Sequence, residues 1–233
     1  MILRAIAPAL LCLSWIGCSA NRPPPPPAHS GWTLRYTQRV GEGSATPRDV
    51  RPDVAMAVLD GAARIAVRER GLEARVDTVH PHVELCRTAC AATDEETAML
   101  ALGGIDDLPA ATGVREDPPQ FERLDDTLAI TNVPTQGARF TGALQSSQGA
   151  LHFTVTVRWI EEPGERSVEV VKDFFTAPLI RMGAAQLVEQ IRHTVGLPLH
   201  WEVRIATRRA DGSTGEGAVV YHAAELANPP AAL

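Results

Sequence analysis

Hydrophobic and polar residues alternate at the start of the folded region. Trp32, Leu34, Tyr36, Gln38 and Val40 point one way, and Thr33, Arg35, Thr37 and Arg39 the other. A period of two predicts a half-buried strand. The turn-rich segment Gly41–Pro47 follows, and then the spacing lengthens. Val54, Val58, Ala62, Ile65 and Glu69 fall on one stripe, apolar except at Glu69. This predicts a helix over about Pro52–Arg70, with Pro52 suited to its first turn and Gly71 to its end. Leu72–Leu85 reads as a second extended segment. Pro81 interrupts it and removes a backbone donor, which implies an edge strand or a broken one.

Thr93-Asp94-Glu95-Glu96 has the form of a capping box, a hydroxyl residue with Glu three positions on. It predicts a short helix ending near Gly103-Gly104. Pro109, Gly113 and Pro118-Pro119 mark 104–120 as loop and as a possible subdomain boundary. Beyond it, Thr127–Val133, Arg139–Gln145, Ala150–Ile160 and Ser167–Phe175 are candidate strands, with Glu162-Pro163-Gly164-Glu165 turning the third into the fourth. A long helix is expected over about Leu179–Val195, on the stripe Ile180, Ala184, Leu187, Val188, Ile191 and Val195. Leu199, Trp201, Val203 and Ile205 then alternate in a strand. Asp211–Gly217 forms a loop, Ala218–Ala223 pairs back, and residues 228–233 form a frayed tail. These elements predict one α+β domain over 32–227, a mainly antiparallel sheet with two main helices packed on one face.

The N-terminus changes the picture of where such a domain sits. Arg4 precedes an apolar stretch, Ala5 to Gly17, that is shorter than the ~20 residues a spanning helix needs. Its end, Trp15-Ile16-Gly17-Cys18, resembles the lipobox of bacterial lipoproteins. That resemblance implies that residues 1–17 are a signal peptide and that Cys18 becomes the acylated first residue. With Ser19 rather than Asp after the cysteine, it also implies an outer-membrane anchor and a domain facing the periplasm. Residues 18–31 then serve as a tether. The run Pro23–Pro27 favours an extended helix rising ~3.1 Å per residue, a semi-rigid spacer of roughly 15 Å.

Charge and composition narrow the function classes. Residues 1–17 hold Arg4 and no acid, so removing them moves the net charge from −6 to −7. An acidic domain without a basic cluster is a poor nucleic-acid binder. Aromatics at 5% leave few stacking faces for a carbohydrate cleft. Lys172 is the single lysine, consistent with a GC-rich genome.

One constellation carries candidate chemistry. In Val79-His80-Pro81-His82-Val83-Glu84-Leu85-Cys86, period-two geometry puts His80, His82, Glu84 and Cys86 on one face. Imidazoles, a carboxylate and a thiolate suit zinc or copper. The same set also reads as the wet side of a strand backed by Val79, Val83 and Leu85. With Cys18 assigned to lipid and Cys12 to the signal peptide, Cys86 and Cys90 remain as a pair in an oxidising compartment, which points to a disulfide. The acid pairs Asp106-Asp107, Asp125-Asp126 and Glu161-Glu162 read as solvated surface, and His152, His193, His200 and His222 are scattered. Gly-x-Ser-x-Gly, His-Glu-x-x-His and Ser-x-x-Lys patterns are absent. No catalytic residue and no cofactor is expected. The reading is a non-enzymatic lipoprotein, held to the membrane by its lipid, whose domain docks onto an envelope protein partner. The alternative is a small-ligand or metal-binding module using His80, His82 and Glu84.

Overall fold

A computed structural model describes residues 31–42, 48–107, 109–161 and 166–227. The expected signal peptide, Cys18, the tether up to residue 30, the turn Glu162–Glu165 and the tail 228–233 lie outside the described residues.

The expected α+β fold gives way to an antiparallel sheet of eleven strands with three short helices; 59% of the described residues are strand and 21% helix. The strands are β1 (Gly31–Glu42), β2 (Arg48–Leu59), β3 (Ala62–Val67), β4 (Leu72–Asp77), β5 (His82–Cys86), β6 (Cys90–Thr93), β7 (Arg115–Ile130), β8 (Val133–Ser146), β9 (Gly149–Ile160), β10 (Leu197–Arg209) and β11 (Thr214–Ala227). The helix α1 (Glu95–Gly103) separates β6 from β7, while α2 (Arg166–Arg181) and α3 (Ala185–Thr194) separate β9 from β10. The order across the sheet is β6-β5-β4-β3-β2-β1-β11-β10-β9-β8-β7. It consists of two meanders joined where the first strand pairs with the last.

Two local readings account for the correction. Instead of a helix over Pro52–Arg70, the chain forms the β2–β3 hairpin. Its turn is Asp60-Gly61, with Gly61 at φ +76°, a conformation natural to glycine. Val54, Met56 and Val58 face the core from β2, and Ala63, Ile65 and Val67 from β3. Ala55 and Ala57, on the other face of β2, are buried as well. With small apolar residues on both faces, the segment satisfies the helical period and the strand period together. The second correction is Ser167–Phe175, which is helical. Its Val168, Val170, Val171, Phe174 and Phe175 are buried, and the β-branched run imitates a strand. The expected helix over Leu179–Val195 is split, because α2 ends at Arg181 and α3 begins at Ala185.

Smaller differences have plain causes. Asp94, not Thr93, caps α1; its carboxylate accepts from the Thr97 amide at 2.8 Å. The expected loop 104–120 stops at Arg115, where β7 starts. Pro118-Pro119 fall in a register break between Asp117 and Gln120, which an edge strand tolerates.

The sheet curls around its helices. Strands lie ~4.8 Å apart, so the seven spacings from β4 to β8 would cover roughly 34 Å in a flat sheet. The helix α1 packs on β4 and α2, and α3 packs on β8 and α2. Two helix–helix spacings cover only about 20 Å. The strands must therefore bend round the helix layer. Trp32 of β1 accordingly lines one cleft together with Leu124–Thr127 of β7, five positions away in the sheet.

At the centre of the trough, α2 drives Phe175 among aromatic rings from three adjacent strands. Its ring centroid lies 5.4 Å from Tyr36, 5.3 Å from Trp201 and 5.3 Å from Tyr221. Burial of the Tyr36 phenol, whose hydroxyl donates to the Pro198 carbonyl, strongly disfavours its ionised form.

Candidate functional site

The structure separates the predicted metal set. His80 lies in the turn before β5, where Asp77 accepts the amides of Val79 and His80 at 2.9 and 2.8 Å, and its Nδ1 is 3.5 Å from Asp77. His82 and Glu84 share a face of β5, with Nε2 of His82 3.4 Å from Oε1 of Glu84. Cys86 and Cys90 are directly cross-strand and joined in a disulfide. Glu84 and the two sulfurs lie within 4.8 Å of one another, but bonded sulfurs offer no thiolate. His82 and Glu84 are thus left as a pair, with His80 held elsewhere.

The acid pairs are used locally. Asp106 and Asp107 are exposed in the loop after α1. Asp126 binds Arg158 of β9, Oδ2 to Nη2 at 2.6 Å. Glu161 accepts from Gln136, and Glu162 lies outside the described residues.

Where the three helices meet, residues far apart in sequence form a charged cluster. Glu95 opens α1, Arg166 and Asp173 lie on α2, and Arg192 lies on α3. Arg166 pairs with Glu95 and sits 3.7 Å from Asp173, while Arg192 pairs with Asp173. Burial, and then the neighbouring Asp173, push the Glu95 carboxyl up to about 7 against the pull of both arginines. Its Oε1 is buried without a hydrogen-bond donor. As an acid, that group could instead donate to Asp173.

The helix α3 is held at both ends by side chains from other elements. Glu116 of β7 accepts the amides of Gln186 and Leu187, both at 2.8 Å, in place of an N-cap that Ala184 cannot provide. At the other end, the ammonium of Lys172 reaches the carbonyls of Arg192 and Val195 at 2.9 and 3.1 Å.

The α2–α3 turn positioned in this way forms one wall of a cleft of about 360 Å³. The cleft lies between the loop after α1 and the far ends of β8, β9 and β10. Its apolar lining includes Ala111, Val114, Leu144, Leu151 and Met182. Thr207 and Arg209, on the helix-facing side of β10, belong to its polar lining. The loop is tied to the helix layer by the amide of Ala111, which donates to the Arg181 carbonyl at 3.0 Å. Volume and lining fall within the range of small-ligand sites, roughly 300–1,000 Å³ and mostly apolar with a few polar groups. In sequence, 104–120 reads as loop and possible subdomain boundary and gives no sign of this cleft, because its walls come from four separate segments.

Two of the scattered histidines also meet. His200 of β10 stands opposite His222 of β11, with their Nδ1 atoms 3.2 Å apart. Beside them, the nearby His200 imidazole and the hydrogen bond from Arg204 outweigh burial and pull the Glu202 carboxyl down to about 2. Burial, then the charges of His200 and Arg39, lowers the pKa of His222. A signal for this pair was present in the sequence, since both histidines are equidistant from Asp211 at the turn.

No protein-family model matches the chain, and no curated protein or solved structure does either.

Proposed function

We propose that the chain is a tethered, non-enzymatic binding module of the cell envelope, and that its cleft takes the apolar portion of an anionic amphiphile. The observation that carries this reading is the 360 Å³ cleft, apolar along Ala111, Val114, Leu144, Leu151 and Met182, with Arg209 on the helix-facing side of β10 beside it. A hydrocarbon segment would leave water against those side chains at ~25 cal/mol per Å² of buried apolar area. The Arg209 guanidinium would meet an acidic headgroup in the fork geometry that suits carboxylate and phosphate. The tether rests on the lipobox-like Trp15-Ile16-Gly17-Cys18 and the proline run after it. Docking onto a protein partner has a smaller footing, Phe121 and Leu128 exposed on the edge strand β7.

The test is titration with dansyl-labelled undecanoate. Saturable one-to-one binding is expected. It should be lost in Ala111→Trp, which fills the cleft, and weakened in Arg209→Glu, which reverses the charge in its polar lining. Absence of saturable binding, or full binding by Ala111→Trp, overturns the assignment. Incorporation of labelled palmitate, abolished by Cys18→Ala, tests the anchor separately.

A further inference from the structure

The outer face of the sheet, away from the cleft and the helices, carries a different kind of site. His200 and His222 are directly opposed in the β10–β11 ladder, and their rings cross at 69°. Two nitrogens bound to one zinc ion at ~2.05 Å with a near-tetrahedral angle lie roughly 3.1–3.4 Å apart. The observed Nδ1–Nδ1 separation of 3.2 Å has that span.

The surroundings complete a metal-site arrangement. Oε2 of Glu202 lies 3.8 Å from Nε2 of His200, on the far side of the ring from His222. A carboxylate near the distal nitrogen favours the tautomer that leaves Nδ1 free as a ligand. Glu202 is itself steadied by Arg204, whose Nε donates to its other oxygen. Both histidines project from paired strands of one hairpin, so backbone hydrogen bonds rather than a loop set their spacing. Arg39 of β1 is the opposing charge near His222, and Arg158, across the ladder from His200, is occupied by Asp126.

We propose that His200 and His222 form a two-imidazole site for a divalent ion of the zinc class. Glu202 sets the His200 tautomer from behind, and water completes the coordination. The site is independent of the cleft and of the lipid anchor.

The experiment is calorimetric titration of the untagged protein with zinc chloride near pH 7.5, with the copper(II) spin-resonance spectrum as a second readout. One ion per chain is expected, with copper showing nitrogen couplings from two imidazoles. His200→Ala and His222→Ala should each weaken zinc binding by at least about tenfold, and Glu202→Gln by roughly tenfold, the usual cost of losing the partner behind a ligating histidine. Arg39→Gln should tighten binding, and His152→Ala and His193→Ala should leave it unchanged. Circular dichroism in chelator verifies folding of each variant, and His222→Gln replaces any alanine variant that fails it. The assignment is overturned if the wild type takes up no stoichiometric ion, if a folded His222 variant binds as tightly as wild type, or if His152→Ala weakens binding equally.

Discussion

The ammonium of Lys172, on α2, lies 3.1 Å from the carbonyl oxygen of Val195, just past the end of α3. The chain's single lysine is thus nearly buried and serves as the C-terminal partner of a neighbouring helix. It satisfies carbonyls that a helix end leaves open, and it places positive charge at the negative end of the helix dipole. Glu169, one turn earlier on α2, balances the charge. Lys172→Met keeps the length and removes the donors, leaving those carbonyls and Glu169 without them. A loss of about 1–3 kcal/mol is expected in urea unfolding. An unchanged midpoint and slope would show that water replaces the ammonium without cost.

At the opposite end of α3, Glu116→Ala should cost ~1 kcal/mol, the usual worth of a cap. The two ends are a ten-residue helix apart, about 15 Å. The double variant should therefore show nearly the sum of the single effects. Strong coupling would mean that α3 detaches as a unit once either end is released. Glu116→Gln should retain most of the stability, because it keeps an acceptor.

Glu95 makes stability depend on pH in the direction opposite to an ordinary salt-bridged acid. Its folded pKa of about 7 is above the ordinary carboxyl value of 4.5, so the native state holds the proton more tightly than the unfolded chain. This contribution is fully present below about 4.5 and is lost as pH rises through about 7. Glu95→Gln, a permanent mimic of the acid form, should flatten that window and gain most relative to wild type above pH 7. Chemical unfolding at pH 4.5, 6 and 8 measures it. A variant whose stability falls across the window as steeply as wild type would remove Glu95 as the cause.

Phe175 joins α2 to the strands on both sides of the β1–β11 pairing. Phe175→Ala should cost about 3–5 kcal/mol, as large truncations in packed cores do. Phe175→Leu should cost less, because it refills most of the volume but loses the stacked and edge contacts. If the alanine variant loses under 1 kcal/mol, the surrounding rings collapse into the space.

Strands whose two faces differ were legible in the sequence. Trp32–Val40 and Ala150–Ile160 alternate large apolar with polar residues, and both lie within strands. Segments that bury small residues on both faces were not. Val54, Val58, Ala62 and Ile65 fit a helical stripe as well as a ladder, with Ala55 and Ala57 apolar on the second face, and only Asp60-Gly61 signalled the hairpin. The valines of α2 failed in the opposite sense, because burial on nearly every side hides the helical period. The site was less legible still. The cleft and the charged helix junction draw on segments more than 70 residues apart, and single-sequence patterning has no term for such meetings.

Every neighbouring pair in the sheet except one is close in the chain or bridged only by the two short helices α2 and α3. The exception is β1 with β11, where Thr33 faces Ala227 across almost the whole described sequence. Each meander can assemble as its hairpins emerge, whereas this pairing waits for the final strand to be made. Closing so long a loop is slow, and β1 meanwhile presents an open edge. The last strand of a second copy would satisfy that edge equally well, so strand exchange between molecules is the characteristic misfolding hazard of this topology.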